Sequence, residues 1–244
     1  MSLADGDSGA ESTARREKRT AASAVYHDLK RDLMRAAYKP GERLLIEQVA
    51  ARYGAGVSPV REALNRLSAE RLVDREDQRG FSVPPLSIER FRELVKTRCW
   101  IEGRALEESI HNRTDAWEES LVIAYHRLSR AKLRFGARED DAGEPADNSD
   151  WEARHRAFHR TLIMNSGSRW MTRFCDELAD QVERYRYIAL TTSLHLREVM
   201  PEHQLILEAT IDGDAETAVS HLVDHYKLTL SLYERQVKLA DDDA

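Results

Sequence analysis

Apolar residues recur along this chain at intervals of three and four, and almost nowhere do they alternate over more than a few positions. That period belongs to helices that bury one face. Val25, Leu29, Leu33 and Met34 set the first, over about 23–37, and Tyr38-Lys39-Pro40-Gly41 stops it with a turn. Leu44, Ile46, Val49, Ala50 and Tyr53 predict a short second helix, closed by Gly54-Ala55-Gly56. Ser58-Pro59 opens a third, running to about Arg71: Ser58 is placed to cap it, Pro59 fits its first turn, and Glu62 suits the helix dipole. Val60, Ala63, Leu64 and Leu67 then face inward, and Arg61, Asn65 and Arg66 face outward.

Leu72-Val73-Asp74-Arg75 and Gly80-Phe81-Ser82-Val83-Pro84 flank the polar run Glu76-Asp77-Gln78-Arg79, which predicts a β-hairpin with an arginine at its turn. Three short helices and a hairpin make a winged helix-turn-helix, whose second helix of the pair enters the major groove while the wing approaches the neighbouring groove or backbone. Pro84-Pro85 ends this module. Ser87 begins a long helical pattern through Ile88, Phe91, Leu94, Val95, Cys99, Ile101, Leu106 and Ile110, and further helices are predicted at about 115–136, 150–166, 169–192, 199–212 and 214–239. Helices in that number form a bundle. The expected fold class is therefore mainly α: an N-terminal winged helix-turn-helix over 24–85, three helices plus a β-hairpin wing, followed over 86–244 by an all-α bundle of six or seven helices.

Composition adds little to this outline, but charge does. The 244 residues carry a net charge of −6, unevenly placed: residues 24–85 hold eleven Lys/Arg against nine Asp/Glu, and residues 86–244 hold twenty-two against thirty. The N-terminal module is the candidate for phosphate contact. Residues 1–23 are polar and end in Arg15-Arg16-Glu17-Lys18-Arg19, so they are expected to be a disordered arm, either solvated or touching a DNA backbone. The acidic stretch 137–149 reads as a loop without assigned chemistry. Cys99 and Cys175, the only cysteines, fall among apolar helical neighbours, which argues against both a disulfide framework and a cysteine zinc site. No apolar run approaches the roughly 20 residues that span a bilayer. The chain is expected to be soluble and cytoplasmic, with no membrane partner.

Lys39-Pro40-Gly41-Glu42-Arg43-Leu44, then Ser58-Pro59-Val60-Arg61-Glu62-Ala63-Leu64-Asn65-Arg66-Leu67, then Arg79-Gly80-Phe81-Ser82-Val83 resemble the DNA-binding domain of GntR-type bacterial regulators. The resemblance covers the whole 24–85 module. It implies double-stranded operator DNA as a partner, with Ser58, Arg61, Arg66 and the wing pair Arg79-Gly80 as contacts. An arginine fork suits this work because it can grip a phosphate or a guanine edge with two hydrogen bonds. Where the family usually has an arginine before the Ser-Pro pair, this chain has Val57, which leaves the operator sequence open. Arg61 and Arg66 pairing with Glu62 or Glu70 on a solvated face is the plainer alternative.

In the bundle, Glu152, His155 and His159 lie on one helix at spacings of three and four, beside Trp151, Phe158, Leu162 and Ile163. His203 opens another helix and His225 lies on the last, so imidazoles from three helices can converge on one ion; each taken singly is equally a satisfied core histidine. The bundle is similar to the effector domain of the fatty-acid-regulator branch of the GntR family. There, the pattern D-x-x-x-H with Phe before the His joins two more histidines around a divalent metal. Phe158-His159, Glu202-His203 and His225 match the three histidine positions, Gly213-Asp214-Ala215 matches the turn before the last helix, and His155 stands where the family has Asp. The resemblance thus implies His155, His159, His203 and His225 as the metal set, with Glu152 and His221 as neighbouring substitutes. Four neutral imidazoles supply no charge, so the site leans toward Zn²⁺ or Ni²⁺ over Mn²⁺ and should attract an anion.

Arg98 matches an arginine of the family's effector domain, where it could clamp a carboxylate; paired with Glu102 one turn on, it could equally be an intrahelical ion pair. Arg184-Tyr185-Arg186-Tyr187 offers two further cations, Arg184 and Arg186, at least one expected to point inward. Trp151–His159 together with Glu183–Arg186 looks most like the branch of carbon-starvation-induced, glutarate-responsive repressors. The expectation is a homodimeric, ligand-responsive transcription regulator, not an enzyme, that binds its operator as a dimer and answers to a small organic acid, such as a dicarboxylate, at a metal-containing pocket. A regulator for which the ion itself is the signal is the alternative. A metallohydrolase would need a general base beside the histidines, for which Glu152 is the one candidate, and would leave the DNA module unexplained.

Overall fold

The computed structural model describes residues 20–76, 79–133, 148–192 and 199–242. Residues 1–19, nearly all of the acidic stretch and the wing-tip pair Asp77-Gln78 lie outside the described residues.

Helix α1 (Ala21–Met34) starts earlier than the apolar pattern predicts, because Thr20 caps it: its Oγ1 accepts from the Ser23 N–H at 3.2 Å. Leu44 belongs to no helix. It lies in the two-residue strand β1 (Arg43–Leu44), and helix α2 (Ile46–Tyr53) begins after it. Helix α3 (Val57–Ala69) also begins sooner than expected. Gly56, in extended conformation, is its N-cap, so Ser58 sits inside the first turn and caps nothing, while Pro59 still falls where a backbone N–H has no intrahelical partner. The hairpin is β2 (Asp74–Glu76) with β3 (Gly80–Ser82), and β1 joins it in an antiparallel sheet ordered β1-β3-β2, with Leu44 opposite Phe81 and Arg75 opposite Phe81 on the other side. Val25, Leu29, Leu33, Val60, Leu64, Leu67, Leu72 and Phe81 close a core of their own.

The bundle begins with α4 (Ile88–His111), capped by Ser87, and α5 (Asp115–Ser129), capped by Thr114. It continues with α6 (Ser149–Ile163), α7 (Arg169–Thr192), α8 (Val199–Asp212) and α9 (Ala215–Asp242). Gly213, at φ 77°, ends α8 in the left-handed region, and Asp214 then caps α9 by accepting from the Thr217 N–H at 3.0 Å. Helix α4 packs along α7 and α9, α5 lies against α6 and α8, and α8 against α9. The second core runs through Phe91, Leu106, Leu121, Leu128, Phe158, Leu162, Ile206 and Leu222, each of which contributes about 2 kcal/mol of burial. Phe91 stacks on Tyr185, with centroids 4.4 Å apart, and meets Tyr233 edge-on.

Polar contacts tie the two parts together. Lys30 on α1 reaches Asp180 on α7 at 2.6 Å and Glu70, just after α3, at 3.1 Å; Gln181 donates to the Glu70 carbonyl at 2.9 Å; Arg184 donates twice to the Pro84 carbonyl at 3.3 Å. Among the described residues no helix is long and apolar enough to cross a membrane.

Candidate functional site

His155 and His159 lie one turn apart on the buried face of α6, His203 near the start of α8, and His225 midway along α9. All four are buried, and one ring nitrogen of each lies within 4.8 Å of the other three. His159 Nε2 is 3.2 Å from His155 Nε2 and 3.2 Å from His203 Nε2.

What holds the rings decides what they offer. His203 Nδ1 is 2.7 Å from the Val199 carbonyl, and His225 Nδ1 is 2.8 Å from Glu202 Oε2. Both partners only accept, so both Nδ1 atoms donate and the lone pair of each neutral ring lies on Nε2. His159 Nδ1 is 3.2 Å from Tyr226 Oη, and the Tyr226 hydroxyl donates to Glu102. Burial, with the Glu102 carboxylate adding to it, raises the phenol far above its ordinary range, so it keeps its proton; His159 Nδ1 donates to Tyr226 and Nε2 is again bare. His159 and His203 thus point lone pairs at each other across 3.2 Å with no hydrogen between them. Two nitrogens bound to one tetrahedral ion at about 2.1 Å are roughly 3.4 Å apart. The donor set fits a nitrogen-seeking divalent cation, with each outer nitrogen held in the way that orients metal-bound imidazoles.

Around the cluster lie two buried charged pairs. Arg98 on α4 donates to Glu102 at 2.6 and 3.3 Å in an intrahelical pair, and it lies 4.0 Å from the Tyr226 ring while lining the space beside the histidines. Arg186 on α7 pairs with Glu152 and donates to His155 Nδ1 at 2.6 Å. Arg184 does not join them. Two residues along a helix turn the side chain by about 200°, and Arg184 is spent on the Pro84 carbonyl. Glu152 pairs with Arg186, and neither it nor His221 enters the ligand cluster. Burial lowers His155 and His159 well below the usual imidazole range, with Arg186 next in weight for His155 and His225 for His159, so both rings are neutral. The space beside the cluster is small: one cavity of about 20 Å³ and one of about 10 Å³, both lined by Arg98, His155 and Arg186.

Sequence reasoning missed Tyr226 and Glu202 as the residues that orient the rings. Their adjacency to His225 and His203 was the available signal, since on a helix the residue beside a ligand can reach across to a neighbouring helix.

Residues 21–83 match the family described as bacterial regulatory proteins, gntR family, and residues 93–228 match the FCD domain. The chain belongs to the GntR family. It is a transcriptional regulator of the GntR type with an FCD domain, not an enzyme; such regulators bind operator DNA through the first part and small-molecule effectors through the second. It is 34% identical over 215 residues to the uncharacterized HTH-type transcriptional regulator BphR of Paraburkholderia xenovorans, covering 88% of this chain and 85% of that one. It is 31% identical over 208 residues to the HTH-type transcriptional repressor GlaR of Escherichia coli, covering 84% and 91%. Among solved structures, E. coli McbR/YncC matches with a TM-score of 0.71 at 23% identity, over 89% of this chain and 99% of that one, which speaks for the fold alone.

In this GntR module Ser58, Arg61, Arg66, Arg79 and Gly80 are all exposed, as is Val57. Arg61 has no ion-pair partner among the described residues. Arg66 does: Glu70 lies at 3.5 Å, and its guanidinium sits 3.7 Å from the centre of the Tyr26 ring. Arg79 meets Glu76 at 3.4 Å in a pair open to water. Arg75 on the wing donates to Asn65 on α3 at 3.3 Å, which links wing and helix. Gly80, at φ 86°, takes a turn that a side chain would strain.

Proposed function

We propose that this chain is a homodimeric repressor that holds a pseudo-palindromic operator through α3 and the wing, and that a small carboxylate binding at a metal-containing pocket in the bundle releases or re-orients it. On DNA, Arg61 reaches base edges in the major groove, Ser58 and Arg66 contact the backbone beside it, and Arg79-Gly80 presents the wing. In the bundle, His159, His203 and His225, with His155 beside them, hold a divalent ion, Zn²⁺ or Ni²⁺ by the neutral charge of the donor set. When bound, the ion supplies an electropositive anchor for an anion. The chain's own part is to orient the rings through Tyr226, Val199 and Glu202, to exclude water, and to present the guanidinium groups of Arg186 and Arg98 to the same carboxylate.

The observation that carries this reading is the convergence of four buried imidazoles, each with a ring nitrogen within 4.8 Å of the others, beside two buried guanidinium groups. Repression is supported by the naming of GlaR and of E. coli RspR as repressors. Two-fold assembly is supported by apolar side chains left exposed on the bundle, Trp100 at 65% among them. One observation favours a second reading, in which the ion itself is the signal: cavities of about 20 and 10 Å³ hold little more than a water molecule, so an acid enters only if side chains move.

A thermal-shift screen of short mono- and dicarboxylates, run with and without chelator, tests the proposal. Stabilisation by one acid that vanishes with chelator is the expected result. A protein whose operator binding responds to metal with no acid present would decide for the second reading.

A further inference from the structure

His155 is held differently from the other three histidines. Its Nδ1 receives a hydrogen bond from Arg186 Nη1 at 2.6 Å. A guanidinium has donors and no acceptor, so Nδ1 accepts here, and the one proton of this neutral ring sits on Nε2. Three lone pairs and one N–H therefore converge, and His155 Nε2–H donates to His159 Nε2 at 3.2 Å. A protonated Nε2 is no ligand. As long as Arg186 keeps this contact, the ring in the family's Asp position stands in the cluster without joining the donor set.

Arg186 has other work within reach. It pairs with Glu152, yet its own Nε and Glu152 Oε1 are buried with no hydrogen-bond partner among the described residues. A buried guanidinium with a spare donor is a site for an acceptor. Arg98, His155 and Arg186 line both small cavities, so moving the Arg186 side chain opens one toward the other.

We infer that Arg186 decides whether His155 ligates: with no acid bound it keeps the proton of His155 on Nε2, and a carboxylate that draws Arg186 away leaves Nε2 free to become the fourth ligand. The inference rests on the metal-and-acid reading above. In the step, the Arg186–His155 hydrogen bond breaks, Nε2 gives its proton to solvent and Nδ1 takes one from solvent, so that the Nε2 lone pair would be available to a divalent ion. The net proton count does not change. Acid and metal then strengthen each other's binding by the same factor, which makes the acid a ligand read through the coordination of the ion. An Asp at this position could not be switched in this way, since a carboxylate has no second nitrogen to be held by.

The test is zinc affinity without any organic acid, measured on metal-free full-length protein by competition with a chromophoric chelator. With Arg186 intact, His155→Ala is expected to stay within about threefold of wild type, because His155 is not yet a ligand. Arg186→Met keeps the stem beside Trp151 but removes the donor, and is expected to bind zinc about tenfold or more tightly. Arg186→Lys, which still donates, should resemble wild type. Loss of a positive charge alone also favours a dication, so the deciding comparison is the double variant: most of the gain from Arg186→Met must disappear when His155→Ala is added. Cobalt absorption gives a second readout, with stronger visible bands in Arg186→Met and none of that increase in the double variant. A His155→Ala protein that binds zinc about tenfold or more weakly with Arg186 in place, or a gain that survives in the double variant, overturns the inference while leaving the metal site standing. Failure of wild type and every variant to take up zinc overturns the metal reading itself.

Discussion

Lys30 on α1 and Asp180 on α7 meet at 2.6 Å, and this contact joins the DNA-binding module to the bundle. Lys30 also holds Glu70 at 3.1 Å, and Glu70 in turn holds Arg66 of α3 at 3.5 Å. On the other side, Asp180 accepts from Arg156, the neighbour of His155 in sequence. A run of ion pairs thus extends from the helix that carries two candidate ligands to α3. Proximity alone does not make it a route for coupling.

Lys30→Met is expected to weaken the link without harming either end. Operator affinity in the absence of acid should change little, while the loss of affinity caused by acid or metal should shrink several-fold, about 1 kcal/mol of coupling. Asp180→Asn should cost more stability than Lys30→Met, about 1–3 kcal/mol by urea unfolding, because it removes a shared carboxylate from two cations, leaving Lys30 only Glu70 and Arg156 only Glu183; the partial exposure of the pair puts the value toward the lower end. An unaltered acid response in both variants would remove this contact from the mechanism.

Arg61 and Arg66 make different predictions although they lie five residues apart on one helix. Arg61, exposed and with no ion-pair partner among the described residues, is expected to lose about 1–3 kcal/mol of operator affinity on change to Ala and to relax the preference at one base pair. Arg66 is already engaged by Glu70 and Tyr26, so Arg66→Ala should weaken binding evenly across sequences and reduce the salt dependence. Competition gel shifts against operator mutants, at two salt concentrations, separate the two outcomes; equal, sequence-blind losses would sink the base-reading role of Arg61.

The helices were legible because their apolar faces repeat with a single period, and two caps, Ser87 and the turn at Gly213-Asp214, announced themselves. Strand β1 was not, since two residues carry no period and Leu44 fits a helical face equally well. Placement on three helices of a bundle allowed the four histidines to converge and the family resemblance implied it, but neither gave the state of His155, because it depends on which arginine of Arg184 and Arg186 faces inward. The helix phase held that answer: Cys175, Ala179, Val182 and Arg186 recur at spacings of four, three and four, and all line the space beside the histidines, while Arg184 lies off that face. The tie between Lys30 and Asp180 spans 150 positions and has no local signature.

Burial raises the Glu152 carboxyl to about 7 against the opposing pull of Arg186. The unfolded value is 4.5. Between these two values the folded chain binds more protons than the unfolded one, so the contribution of this group is fully present below 4.5 and is lost as pH rises through 7. Metal-free protein should therefore show a fall in melting temperature across that window that Glu152→Gln, which cannot ionise, reduces. A variant that keeps the whole slope would assign it to other groups. A dication in the neighbouring cluster favours the charged carboxylate, so zinc should shift the slope to lower pH.

Metal removal gives the most direct reading of the histidine cluster. An ion that binds only the folded chain stabilises it by about 4 kcal/mol when present at a thousandfold its dissociation constant. For a chain of this length that corresponds to about ten degrees in melting temperature. Chelator should therefore lower the melting temperature of protein as purified, and zinc or nickel should restore it, while magnesium should not, because it seeks oxygen ligands. His203 is fully enclosed, and its Nδ1 is tied to the Val199 carbonyl, so His203→Ala removes a ligand and leaves that acceptor buried. Its melting temperature should be low and should answer to neither zinc nor chelator. His155→Ala should still respond to zinc in the absence of acid, since Arg186 already keeps that ring out of the donor set. The contrast between two buried histidines of one cluster, one indispensable and one conditional, cannot arise if the four rings are merely packed side by side.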